Sequence, residues 1–168
     1  MSRVRSDRDF VAMQQLSDEV TAWAGMVENL DYLAFALVAL TARAIYDVVG
    51  ELPLLQWRAL VELDAAGSLR LGDLAARLPA SAPSTSRLVK RMSNRGLVET
   101  RPVPTDGRGI TVRLSGDGQS LHKQVIERRQ DLIADVLRSS TIPTDLYGGL
   151  AVLGKRLRAR SLASADTH

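Results

Sequence analysis

A mainly α-helical fold with one small β-hairpin is what this sequence predicts, and three observations lead there. Apolar residues recur in steps of three and four through most of the 168 positions, which is the period of a half-buried helix. Strand-like alternation is confined to two short runs, LVETR and ITVRL, on either side of a Pro- and Gly-rich break. Aromatic residues make up 4% of a chain that is 45% apolar, so Leu, Val and Ala must fill the core. The length suits one domain or slightly more.

The elements follow in order. Residues 1–7 are polar and expected to fray. From Arg8 to Asn29, Leu16, Val20, Trp23, Val27 and Leu30 form a seam down one helix face. Asp31 to Val49 reads as a second helix, apolar nearly all round, with Gly50 as its stop. Pro53 opens the next helix, where its missing N–H costs nothing, and AAGS ends it. SLRL is a short extended stretch. Leu71–Leu78 is a short helix broken by PASAP. Ser81 caps a helix that runs to Arg95 and ends at Gly96. LVETR and ITVRL then pair across the turn PVPTDGRG. Ser115 caps a helix to about Arg138, and Pro143 opens a last one striped with Leu146, Leu150, Leu153 and Leu157. The tail from Ser161 is expected to be loose.

Three helices followed by a hairpin, between longer helical arms, is the pattern of a winged helix-turn-helix. The expected organisation is N-terminal helices over 1–50, the winged domain over 51–115 and C-terminal helices over 116–168. The winged domain leaves the apolar seams of residues 16–30, 33–48 and 146–157 uncovered. A two-fold homodimer joined through both chain ends would bury them.

The net charge of +3 is unevenly spread. Between Ser81 and Ser115 lie Arg87, Lys90, Arg91, Arg95, Arg101, Arg108 and Arg113 against only Glu99 and Asp106. A basic block on a nearly neutral body points to a polyanion partner, a solvated basic face being the plainer alternative. Wound as a helix, Ser81–Arg95 gathers Thr85, Leu88, Val89 and Met92 on one face. Pro83, Arg87, Lys90, Arg91 and Asn94 fall broadly opposite, with Ser84 and Ser86 on the flanks. Pro83, Ser84, Ser86, Arg87, Lys90 and Arg91 are therefore the candidates to meet double-stranded DNA in a groove. Arg108, between Gly107 and Gly109 at the expected hairpin tip, suits a narrow minor groove. Asp106 is assigned to orienting an Arg or fixing the turn.

Other classes are disfavoured. Without cysteine there is no disulfide, zinc–thiolate site or thiol nucleophile. His122 and His168 are too few for an imidazole metal cluster, so neither metal nor cofactor is expected. No Gly-rich phosphate loop or Ser/His/Asp grouping suggests an enzyme. The apolar run Leu33–Leu40 reads as too short to span a membrane, and with no visible signal peptide a cytoplasmic protein is expected.

LPLLQWRAL, LAARL, STSRLVKRM followed by NRGLV, PTDGR and LSGDG appear in that order. This combination, over roughly residues 30–140, resembles the DNA-binding core of the MarR family of bacterial regulators. The resemblance implies a homodimer on pseudo-palindromic DNA, with the Ser81–Arg95 helix in the major groove and Arg108 in the minor groove. It also implies a repressor released by a small aromatic or phenolic effector. Arg43, Tyr46, Trp57 and Arg58, with Tyr32 and His122, are candidates to line the effector cleft; the alternative is that Trp57 and the tyrosines are ordinary core residues. Three positions depart from the family pattern. Thr100 replaces an Arg, with Arg101 beside it as a substitute; Gly107 replaces an Arg in the wing; Thr85 replaces an aliphatic residue. A DNA-binding dimer without an effector, or a helical protein-interaction module using the winged fold, are the alternative functions.

Overall fold

A computed structural model describes residues 3–103, 106–141, 143 and 146–163. Two compact units result, one ending at Leu40 and one beginning at Thr41. Helix α1, Arg3–Val49, contributes to both. The sequence predicts two helices here, but neither Asn29 nor Asp31 breaks a backbone ladder whose apolar residues keep the same period. Residues 3–7, expected to fray, are part of the same helix. By joining the two apolar runs, α1 presents a stretch, Glu19–Val49, long and apolar enough to cross a bilayer. That corrects the expectation drawn from Leu33–Leu40 alone.

In the unit from Thr41 onward the helices are α2 (Leu54–Ala66), α3 (Leu71–Arg77), α4 (Ala82–Asn94), α5 (Gly116–Arg138) and α6 (Leu146–Ala163). Residues 161–163, expected to be loose, are helical. Strands β1 (Ser68–Arg70), β2 (Val98–Val103) and β3 (Asp106–Leu114) form one antiparallel sheet in the order β1-β3-β2. The hairpin is thus widened by SLR, which pairs Ser68 with Arg113 and Arg70 with Thr111. The core joins Ala44 and Ile45 of α1 to Trp57, Leu60 and Leu63 of α2, Leu74 of α3, Leu88, Val89 and Met92 of α4, Val112 and Leu114 of β3, and Val125 of α5.

One corner organises this packing. Arg95 caps α4, Gly96 takes the left-handed conformation (φ 70°), Leu97 N–H donates to the Met92 carbonyl at 2.9 Å and Gly96 N–H to that of Ser93 at 2.9 Å. This is a Schellman ending, and it needs glycine because a Cβ is strained at positive φ. The Leu97 carbonyl then accepts from Ser115 N–H at 3.1 Å, and the Ser115 hydroxyl donates to the Gly96 carbonyl. Ser115 also caps α5, accepting from Gly118 N–H at 3.0 Å. So the end of α4, the end of β3 and the start of α5 share one set of hydrogen bonds.

Gly118 is buried in this corner. A Cβ there would fall on the Leu97 carbonyl oxygen, and the Leu97 carbonyl carbon would lie at 3.0 Å. Backbone cannot rotate aside as a side chain can. Gly118→Ala is expected to destabilise the fold by about 1–3 kcal/mol, despite the better helix propensity of Ala. Urea unfolding of both proteins checks this; an unchanged or raised midpoint would show that α5 can shift away from Leu97.

Candidate nucleic-acid interface

Helix α4 has two opposed faces. Thr85, Leu88, Val89 and Met92 are buried, while Pro83, Ser86, Arg87, Lys90 and Arg91 are exposed and Ser84 is half-buried. The apolar stripe holds the helix by burial, so the cations gain nothing by folding inward and remain solvated. Ser81 stands at the N-cap, but its hydroxyl does not accept from the backbone; it donates to Ser84 Oγ at 3.0 Å. Arg87 Nη2 approaches the same Ser84 oxygen at 3.4 Å. The backbone N–H groups of the first turn therefore lack a side-chain cap, and such a helix end favours an anion.

The sheet sorts its residues by alternation. Val98, Val112, Leu114 and Leu69 are buried on one face, which Thr100 shares at an exposed position, whereas Ser68, Arg113, Glu99, Arg70, Thr111 and Arg101 share the other. Arg101 therefore points to the opposite face from Thr100 and does not take its place. Arg113 reaches Glu99 Oε2 through Nε at 2.9 Å and Nη2 at 2.6 Å, with Arg101 Nη2 at 3.8 Å. The hydrogen bond and charge of Arg113, then the charge of Arg101, hold the Glu99 carboxyl below its ordinary 4.5. A depressed carboxyl pKa contributes stability above its unfolded value and loses it as pH falls through the lowered one. The pair is exposed, so this contribution is small.

The turn is shorter than PVPTDGRG. Val103 pairs with Asp106 after an irregularity at Pro102, so Asp106, Gly107 and Arg108 belong to β3 rather than to the turn itself. Pro104 and Thr105 lie outside the described residues, as do the side chains of Asp106 and Arg108.

The effector candidates are less unified. Trp57 is 5% exposed and stacks on His122, ring centres 5.2 Å apart. His122 Nδ1 lies 3.5 Å from Asp64 Oδ1. Trp57 thus serves as a core residue joining α2 to α5. Tyr46 is exposed on α1, as is Tyr32. Arg43 pairs with Asp47 at 2.8 Å, and Asp47 also receives Arg128 Nη2 at 2.8 Å, which ties the last turns of α1 to α5. Arg58 pairs with Glu62 at 2.9 Å; Glu62 is buried and also meets Arg77 of α3 at 3.6 Å.

Several polar groups escaped the sequence reading. Glu62 and Gln56 are polar residues of α2, yet both are buried. Arg129 Nε is buried with no hydrogen-bond partner among the described residues. The signal for Glu62 was present, since an Arg four residues earlier is the usual helix pair. Nothing local marks Gln56 or Arg129.

Thr85 is the one departure from the family pattern whose consequence is visible. It is fully buried inside α4, and its hydroxyl lacks a partner among the described residues. A buried, unpaired hydroxyl costs about 1–3 kcal/mol, and valine has nearly the same shape without that group. Thr85→Val should therefore raise stability by about 1 kcal/mol. Chemical denaturation measures this, and a destabilised variant would mean that the hydroxyl is satisfied in solution.

Comparison with known proteins agrees with this geometry. A family model described as the MarR family matches residues 51–109. The HTH-type transcriptional regulator YsmB of Bacillus subtilis is 32% identical over 87 residues, covering 52% of this chain and 56% of YsmB. The chain thus spans little more than half the length of such curated relatives. The crystal structure of RV1404 from Mycobacterium tuberculosis superposes with a TM-score of 0.69 at 28% identity, covering 79% of this chain and 90% of that one. A mutant MarR from E. coli, complexed with operator DNA, superposes at 0.55 and 23% identity over 76% of this chain and 92% of its own. Through its winged-helix segment, residues 51–109, this chain is similar to the MarR family.

Proposed function

We propose that the chain is a sequence-specific, DNA-binding transcriptional regulator, a cytoplasmic homodimer that represses by occupying a pseudo-palindromic operator. The observation that carries this reading is α4. Its exposed face bears Arg87, Lys90 and Arg91 beside Ser84 and Ser86, while its buried face fixes it in the winged fold. The operator-bound structural neighbour supports the same use of the fold. The role is non-enzymatic.

In this reading α4 enters the major groove, its uncapped N-terminus meets a phosphate, and its cations bond base edges and backbone. Pro83, Ser84 and Ser86 keep the approach close. Asp106 and Arg108 lie beside the hairpin turn and serve the minor groove. A small aromatic or phenolic effector, read by Arg43, Tyr46 and Arg58 beside the core residue Trp57, releases the DNA. The unpartnered Arg129 Nε on α5 favours an anionic ligand or partner nearby.

The dimer rests on exposed apolar surface. Val20, Trp23 and Val27 are each more than 60% exposed on α1, and Leu146, Leu150 and Leu157 are exposed on α6. Such surface marks an interface. A second copy covers it better than lipid does, because the end of the apolar stretch, Ala44, Ile45 and Asp47, is already committed to the core and to Arg128. In sedimentation velocity the full chain should run as a dimer in water. A monomer, or material soluble only in detergent, would assign α1 to another partner.

DNA binding is tested by fluorescence anisotropy against genomic fragments over a salt series. The wild type should footprint a reproducible site with a steep salt slope. Arg87→Ala should cost about 1–3 kcal/mol per half-site and relax preference at one base position. Arg108→Ala should leave folding intact and lower the slope by about two per dimer. Flat, weak binding by the wild type would favour a protein-interaction module instead.

A further inference from the structure

Arg95 caps the end of α4, yet among the described residues its side chain reaches neither an acid nor its own helix. Its Nη1 donates to Gln56 Oε1 at 3.2 Å and its Nη2 to the Glu51 carbonyl at 3.3 Å. These partners lie 39 and 44 residues earlier in the chain. Gln56 belongs to the first turn of α2 and is 5% exposed. Glu51 follows Gly50, whose φ of 72° turns the chain out of α1. One guanidinium thus joins the C-cap of α4 to the α1–α2 turn and to a buried amide.

We propose that Arg95 is a positioning residue for DNA recognition: it fixes the C-terminal end of α4 against α2 and so sets the angle at which the outward face of α4 meets the bases. The inference rests on the regulator reading above. Three features support a positioning role. The planar guanidinium spans two acceptors at once, which one ammonium cannot do with the same geometry. Both acceptors are neutral, so the contact fixes direction and does not cancel charge. The amide oxygen of Gln56 is buried, and without Arg95 it would be left unpaired, which biases the pair towards remaining closed. At the opposite end of α4, facing the candidate DNA surface, the side-chain hydrogen bonds among the described residues are local, Ser81 and Arg87 both meeting Ser84. Burial of Thr85, Leu88, Val89 and Met92 holds α4 in place without direction, and the Arg95 contacts add direction at its C-terminal end, so losing them changes the tilt of Ser84 and Arg87.

The test uses the full-length protein and two duplexes: one selected by the wild type from a random-sequence pool, and a scrambled version of it. Affinities are measured across a salt series for the wild type, Arg95→Ala, Arg95→Lys, Gln56→Met and the double variant Arg95→Ala with Gln56→Met. Gln56→Met preserves volume and lies within the fold, and circular dichroism confirms folding of each protein. Arg95→Ala and Gln56→Met should each reduce the preference for the selected duplex by about tenfold, with the salt slope unchanged. The double variant should be no worse than either single one, and Arg95→Lys should recover part of the preference. Equal loss on both duplexes with a slope reduced by about 0.9 per contact would make Arg95 a phosphate contact and overturn the proposal. Full preference in Gln56→Met, or additive losses in the double variant, would overturn it too. A wild type that selects no duplex overturns the regulator reading itself, a result distinct from all of these.

Discussion

The Leu97 carbonyl is the atom on which the winged unit turns. It accepts from Ser115 N–H, and it occupies the space that a side chain at Gly118 would need. Because the peptide is rigid, placing this carbonyl places both the end of β3 and the first turn of α5. Gly96 makes that placement possible by taking the conformation that ends α4 in a Schellman turn. The helix that carries the basic face and the helix that carries α2's packing partners Val125 and His122 are therefore joined through backbone, with little freedom between them. The motif words NRGLV and LSGDG, far apart in the chain, are the two halves of this joint.

Around that joint the molecule separates its polar work from its apolar work. Leu, Val, Ala and Met supply the core, as the low aromatic content required. Cross-element direction comes from a few charged groups: Asp47 with Arg43 and Arg128, Glu62 with Arg58 and Arg77, Arg95 with Gln56 and Glu51. A buried carboxylate such as Glu62 is costly unless paired, so it restricts which arrangement of α2 and α3 is tolerated more than it stabilises the fold. Among the described residues, the cations on the outer face of α4 face no such acid. Among the described residues Lys90 and Arg91 have no ion pair, which leaves their charge available to a polyanion.

The sheet illustrates how a short motif acquires a direction. Alternation places Glu99, Arg101 and Arg113 on one face and Thr100, itself exposed, on the other, so neighbours in sequence do different things. Arg113 is largely neutralised by Glu99, whereas Arg70, on the third strand and the same face, is not paired among the described residues. The positive charge counted between Ser81 and Ser115 is thus not one patch. Part of it sits on α4, part is committed to Glu99, and Arg95 faces α2.

By itself the sequence determined the helical class, the wing, the buried and exposed faces of α4, and the caps at Gly96 and Ser115. These depend on local period and on residues within one turn of each other, which a linear chain displays directly. Tertiary structure alone decided the rest. α1 is one helix because no residue between Asn29 and Asp31 breaks its ladder, and two overlapping apolar stripes do not reveal that. SLR joins β3 because an edge strand finds its partner only in space. Asp106 and Arg108 lie in a strand because Val103 pairs with Asp106. Arg95, the most informative polar side chain outside α4's exposed face, was legible in the sequence only as one more positive charge. Its partners stand 39 and 44 residues away, and no periodicity reports a contact formed when two separately specified helices meet.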